Sequence, residues 1–137
     1  MDAIKQLRPE CLQDIAEMIR DEYVEMYGNL AITDMKVYRS SVKHHFNCGD
    51  HIFYSPGVYV AIVGQIQDPF LKFHDNFVYH VYIRPEHRKG KVFKGLLDGL
   101  VGKYGIITGD TLIQSENFRV FSSRNTPVRS VKFLIGG

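Results

Sequence analysis

Apolar residues recur at helical spacing over Leu12, Ile15, Ala16, Ile19, Tyr23 and Met26. The run follows Pro9, a residue favoured in a first helical turn, and meets Gly28, so a helix is predicted between them. A second stripe, Met35, Tyr38, Val42 and Phe46, starts after Asp34, a good N-cap, and runs into Gly49. The period then changes. Ile52 to Tyr54, a Ser55-Pro56-Gly57 turn and Val58 to Ile66 predict a β-hairpin. Val58 to Val63 is apolar at odd and even positions alike, which predicts a strand covered on both faces. Phe77 to Arg84 predicts another strand, with Phe77, Tyr79, Val81 and Ile83 on one side and Val78, His80 and Tyr82 on the other, ended by Pro85. Phe93, Leu96, Leu97, Leu100, Val101 and Tyr104 predict a third helix stopped by Gly105, and Ile106 to Ile113 resumes as a strand. Strand, helix and strand in that order predict a right-handed βαβ unit over 77–113, with parallel strands. Beyond Ser115, Phe118 and Phe121 permit a short helix up to about Arg124, and Val128 to Ile135 reads as a last strand. A short strand at Ala3 to Leu7 opens the chain.

Size and charge narrow the function classes. With 137 residues and 45% hydrophobic content the chain builds one core, so residues 1–137 are expected to form a single domain. Its longest apolar run, Val58 to Val63, is six residues, against roughly 18 for a membrane-spanning helix. The charged start MDAIKQLRPE does not read as a signal peptide, and two cysteines supply no disulfide framework; a cytoplasmic, reducing location is expected. Residues 1–50 hold nine Asp or Glu against six Lys or Arg, and residues 51–137 hold six against eleven. Arg84, Arg88, Lys89, Lys91 and Lys94 form the densest basic stretch, enough charge to attract a phosphate-bearing ligand. Nucleic-acid binding is the weakest reading of it, because no recognisable motif and no overall basic balance accompany it. His44, His45, Cys48 and His51 lie within eight residues, with His44 and Cys48 sharing a helix face. A closed zinc site needs four ligands, and only His45 or His74 offers the fourth. Imidazoles at the C-terminal end of a helix are the simpler reading, and no metal is expected.

The order of elements and one junction resemble the GNAT superfamily of N-acetyltransferases. Members typically read V-x-P-x-[hydrophobic or aromatic]-[R/Q]-x-x-G-x-[G/A] at this place. Here Ile83-Arg84-Pro85-Glu86-His87-Arg88-Lys89-Gly90-Lys91-Val92-Phe93 carries the strand end, the Pro and the Arg, followed by Leu96-Leu97. Ile4 to Glu10 followed by an amphipathic helix resembles the family's first strand and helix, and the resemblance covers roughly residues 3–113. It implies an α/β fold: a mixed central sheet with helices on both faces and a parallel βαβ unit carrying a pyrophosphate loop. It also implies acetyl-CoA as cofactor, its pyrophosphate on Arg88, Lys89, Gly90, Lys91, Val92 and Phe93 at the start of a helix, and its arm beside the backbone of Val81, Tyr82 and Ile83. The implied reaction is acetyl transfer to an amine, of a small molecule or a protein; His80, whose unperturbed pKa is near neutrality, is the candidate base, with Tyr82 close to it as a further catalytic candidate, and Ser122 or a water is the candidate acid. The family's usual acid is a Tyr, and the nearest equivalent here is Phe121. Gly90 stands one place early, Lys91 takes the first glycine's place, and Phe93 replaces the small residue that lets backbone approach the anion. Small divergent members resemble proteins of tailed phages, and a GNAT-shaped binding or assembly module without catalysis is the competing expectation. The short carboxyl end would then offer a sheet edge to a second copy or another protein.

Overall fold

The computed structural model describes residues 2–67, 73–109 and 133–136. Helix α1, Pro9–Tyr27, starts with Pro9 in its first turn and ends at Gly28, whose φ of 58° an L side chain rarely adopts. Helix α2, Met35–Asn47, is capped by Asp34, whose Oδ1 accepts from the Lys36 amide at 3.0 Å. Strands β1, His51–Ser55, and β2, Tyr59–Gln67, form the expected hairpin; Val58 N–H donates to Ser55 O at 2.9 Å, with Gly57 at φ 70°. Strand β3 spans Phe73–Ile83, helix α3 Val92–Tyr104, strand β4 Ile106–Gly109 and strand β5 Phe133–Gly136.

The five strands lie in the order β1-β2-β3-β4-β5. Pairing is antiparallel except between β3 and β4, which α3 connects and which run parallel. The fold is therefore mixed α/β, with the βαβ unit in place. Its parallel ladder has two rungs among the described residues, Phe77 with Thr108 and Val78 with Gly109. The expected short helix at 115–124 lies outside the described residues.

Each face of the sheet carries its own apolar cluster. Leu12, Ile15, Ala16, Met18 and Ile19 of α1 and Tyr38 and Val42 of α2 pack on Ile52, Val60, Ile62 and Tyr82. Leu96, Leu97 and Leu100 of α3 pack on Phe53, Ala61, Val63, Val78, Val81 and Ile83 on the other face. Strand β2 is thus covered on both sides, as its unbroken apolar run predicts. Each Val, Leu, Ile, Phe or Met in these clusters taken fully out of water contributes roughly 1.5–3 kcal/mol.

Two expectations are corrected. Ala3 to Leu7 does not form a strand; one backbone bond, Ile4 N–H to Ile52 O at 2.8 Å, attaches it to the β1 edge. Nor does β3 alternate throughout: its partner register steps from Ile62↔His80 to Val63↔Val78, so Tyr79 is an extra, bulged residue. The bulge shifts the phase by one. Val78 therefore joins Val81 and Ile83 under α3, while Tyr79 packs with Tyr82 on the α1 and α2 side. A second register shift follows between Gly64 and Ile66, opposite Asn76 at φ 58°.

Candidate functional site

The end of β3, the turn after it and the start of α3 gather most of the residues singled out by sequence. Arg84 N–H donates to Val58 O at 2.9 Å, which fixes the side on which β3 residues present their backbone. In an antiparallel pair alternate residues point their N–H and C=O groups to opposite sides. Tyr82 and His80, in phase with Arg84, face β2; Val81 and Ile83 face away, toward the β4 side. The Ile83 carbonyl is met there by Arg88 Nε at 2.8 Å. Past Val78 the β3–β4 ladder has no further rung among the described residues.

The turn is basic, and two of its cations are already engaged. Arg84 donates to Asp14 Oδ1 at 2.6 Å and lies 3.7 Å from Asp21. Arg88 Nη2 contacts both Glu25 oxygens at 2.8 Å, with its guanidinium 5.2 Å from the centroid of the Tyr82 ring. Lys89, Gly90 and Lys91 are exposed, Gly90 at φ 107°, and the Lys91 side chain does not cap α3. Val92 and Phe93 are half-buried against the α3 cluster, so the Phe93 side chain is drawn into the core.

Of the candidate chemical groups, the Tyr82 hydroxyl donates a hydrogen bond to Glu25 Oε1 at 3.1 Å. Burial, then the Glu25 carboxylate, push that hydroxyl above its ordinary pKa, so it stays protonated at neutral pH. It is a weak candidate for a base. His80 is buried and pairs through Nδ1 with Glu22 Oε1 at 2.8 Å. Ser122 and Phe121 lie outside the described residues.

The histidine-rich end of α2 divides. His44 Nε2 lies 3.5 Å from Cys48 Sγ on an exposed face, whereas His45 turns inward to Asp50 Oδ2 at 2.7 Å. His51 bonds the Tyr104 hydroxyl. Among the described residues no three His, Cys, Asp or Glu side chains converge as metal ligands. A cavity of about 400 Å³ lies beside this region, at the opposite end of β3 from the basic turn, lined among others by Asp50, His51, Gln65, Asp75 and Tyr104.

Sequence reasoning missed the acidic partners on α1. Glu22 stands seven residues after Ile15, on the buried stripe, and a carboxylate at an apolar-stripe position is the signal that marks it. Glu25, Asp14 and Asp21 carry no such signal, because an acid on a helix face reads as solvated until its partner across the fold is known.

No family model matches the chain, and no curated protein matches it. Its fold is similar to the crystal structure of PH1933 from Pyrococcus horikoshii OT3. That likeness has a TM-score of 0.63 at 13% identity and covers 99% of this chain and 96% of that one.

Proposed function

We propose that the chain is an acetyl-CoA-dependent N-acetyltransferase of GNAT type acting on an amine. The observation that carries the reading is the basic turn by which β3 leads into α3. Lys89, Gly90 and Lys91 are exposed there, Gly90 at φ 107°, directly before the first turn of α3. A pyrophosphate needs the amides at the start of a helix with positive charge beside them. The residues present fit that part of acetyl-CoA. Lys89 and Lys91 supply exposed charge, Gly90 the positive-φ turn, and Phe93 is tucked toward the α3 core.

Bound acetyl-CoA would supply an acyl group activated as a thioester. The chain's own part is to hold the arm along Val81 and Ile83, to orient an acceptor from the α1 and α2 side, and to take a proton from its ammonium group. His80, buried and one residue before Val81, is the candidate for that proton. Arg88 departs from the simple expectation: its charge is shared with Glu25, so it braces the turn against α1 and leaves the anion to the lysines and helix start.

The competing reading, a binding module without catalysis, has one observation in its favour. Val24, Tyr27, Leu30, Ile32 and Val37 are exposed around the α1–α2 connection, Leu30 at 88%.

Calorimetric titration with acetyl-CoA, and free CoA beside it, tests the choice. Micromolar affinity, about −8 kcal/mol, that is lost in a Lys89→Glu/Lys91→Glu double variant is the expected result. No heat and no thermal stabilisation at millimolar ligand would reject the transferase and turn attention to the apolar surface.

A further inference from the structure

Four ionisable side chains from four segments meet beneath α1 and α2: Glu22 of α1, His80 of β3, His45 of α2 and Asp50 of the turn before β1. They form two acid–imidazole pairs, Glu22 Oε1 with His80 Nδ1 at 2.8 Å and Asp50 Oδ2 with His45 Nδ1 at 2.7 Å. The two rings then meet edge to face, 5.7 Å between centroids at 89°. Both pairs are fixed by their surroundings. Tyr23 of α1 stands edge-on to His80 at 6.0 Å, and Tyr79 lies 4.8 Å from His45. Asp50 fits only because residue 64 is glycine, since a Cβ there would fall 2.2 Å from Oδ1.

The inner pair carries an unusual feature. The Glu22 and His80 side chains are 7% and 8% exposed, and Glu22 Oε2 is buried with no hydrogen-bond partner among the described residues. A buried carboxylate left half-satisfied is costly unless its other oxygen receives a strong donor. His80 Nδ1 is that donor. A bare Nδ1 would set a lone pair against the carboxylate oxygen at 2.8 Å, so a ring proton belongs on Nδ1, and in the neutral ring Nε2 is the bare nitrogen.

We propose that Glu22 is a positioning residue for His80, fixing the Nδ1–H tautomer so that Nε2 is the atom that takes the proton of the acceptor's ammonium group. The identity of the proton donor rests on the transferase reading; the tautomer does not. In the step one proton leaves the ammonium nitrogen for Nε2, giving a neutral amine and an imidazolium whose charge faces the Glu22 carboxylate; release of that proton to solvent restores the pair. The groups shown against the ring are Glu22 and Tyr23 from α1 and His45 from α2, with Asp50 behind His45. Burial, only partly offset by Asp50, favours the neutral form of His45, which keeps a second cation away from the ring.

Long-range proton–nitrogen correlation spectra of the ¹⁵N-labelled protein at pH 7.5 read the tautomer directly. The expected result is a proton on Nδ1 and a bare Nε2 at His80. In Glu22→Leu, which offers the ring no acceptor, the fixed tautomer is lost and the proton is shared between Nδ1 and Nε2. A ring carrying its proton on Nε2 alone, or a Glu22→Leu tautomer spectrum identical to wild type, overturns the assignment. Should Glu22→Leu fail to fold, the wild-type tautomer decides alone. Calorimetry with acetyl-CoA separates the two ideas: Nδ1–H at His80 without acetyl-CoA binding rejects the acetyl-transfer step while the Glu22–His80 pairing stands.

Discussion

At the scale of single residues, His45 couples this fold to pH. Burial is the largest influence on it and lowers its pKa, with the Asp50 hydrogen bond working the other way. An unfolded His titrates near 6.5, so below about that pH the unfolded chain binds a proton that folded His45 resists. Stability from this group is therefore present above the unfolded pKa and declines as pH falls through it. Urea unfolding at pH 7.5 and 5.5 is expected to show a smaller difference between midpoints in His45→Asn than in wild type. An unchanged difference would place the titrating group elsewhere. Single residues were also where sequence was least informative. His80 was legible as a titratable group on a strand, but its partner Glu22 is 58 positions away. The histidine cluster was legible as a cluster, yet the helix turns His44 and His45 in different directions, and only the packed sheet makes one of those directions inward.

At the scale of elements, helix α3 holds the apolar stripe that sequence predicts, and it holds it despite Gly95 and Gly102 on its exposed side. A Cβ at either position meets nothing within 4 Å, so alanine there adds helix propensity with no clash. Gly95→Ala and Gly102→Ala are each expected to raise stability by about 0.5–1 kcal/mol, read as higher thermal midpoints; a lower midpoint in either would mean that the glycine serves a contact or motion of its own. Elements with strong local signals were well read: Pro9 and Gly28 bound α1, Asp34 caps α2, and Pro56-Gly57 turns the hairpin. Ala3 to Leu7, expected as a strand, forms none, and Ile4 N–H bonds Ile52 O of β1. Strand formation needs a partner edge in register, and composition does not supply one.

At the scale of the molecule, β2 and β3 belong to both apolar clusters at once, Val60 and Ile62 to one and Ala61 and Val63 to the other. Damage on one face should therefore be felt on the other. Leu97→Ala under α3, where Leu97 is 1% exposed, is expected to cost about 2–5 kcal/mol. Tyrosine signals from Tyr23 and Tyr38 on the opposite face should move with the same urea midpoint as the far-ultraviolet dichroism. Two separated midpoints would show the faces unfolding independently. The charge asymmetry of the sequence also finds its reason at this scale, since acids of α1 meet Arg84 and Arg88 across the sheet end, leaving Lys89 and Lys91 to face outward. By itself the sequence determined the helices, the hairpin, the doubly covered strand and the βαβ order, because periodicity, caps and turn residues act within a few positions of one another. Only the tertiary structure decided the Tyr79 bulge, the side to which Val81 and Ile83 turn their backbone, and the pairing of Glu22 with His80 and of Glu25 with Arg88. Each depends on strand register or on side chains brought together from distant parts of the chain, and neither leaves a periodic trace in the sequence.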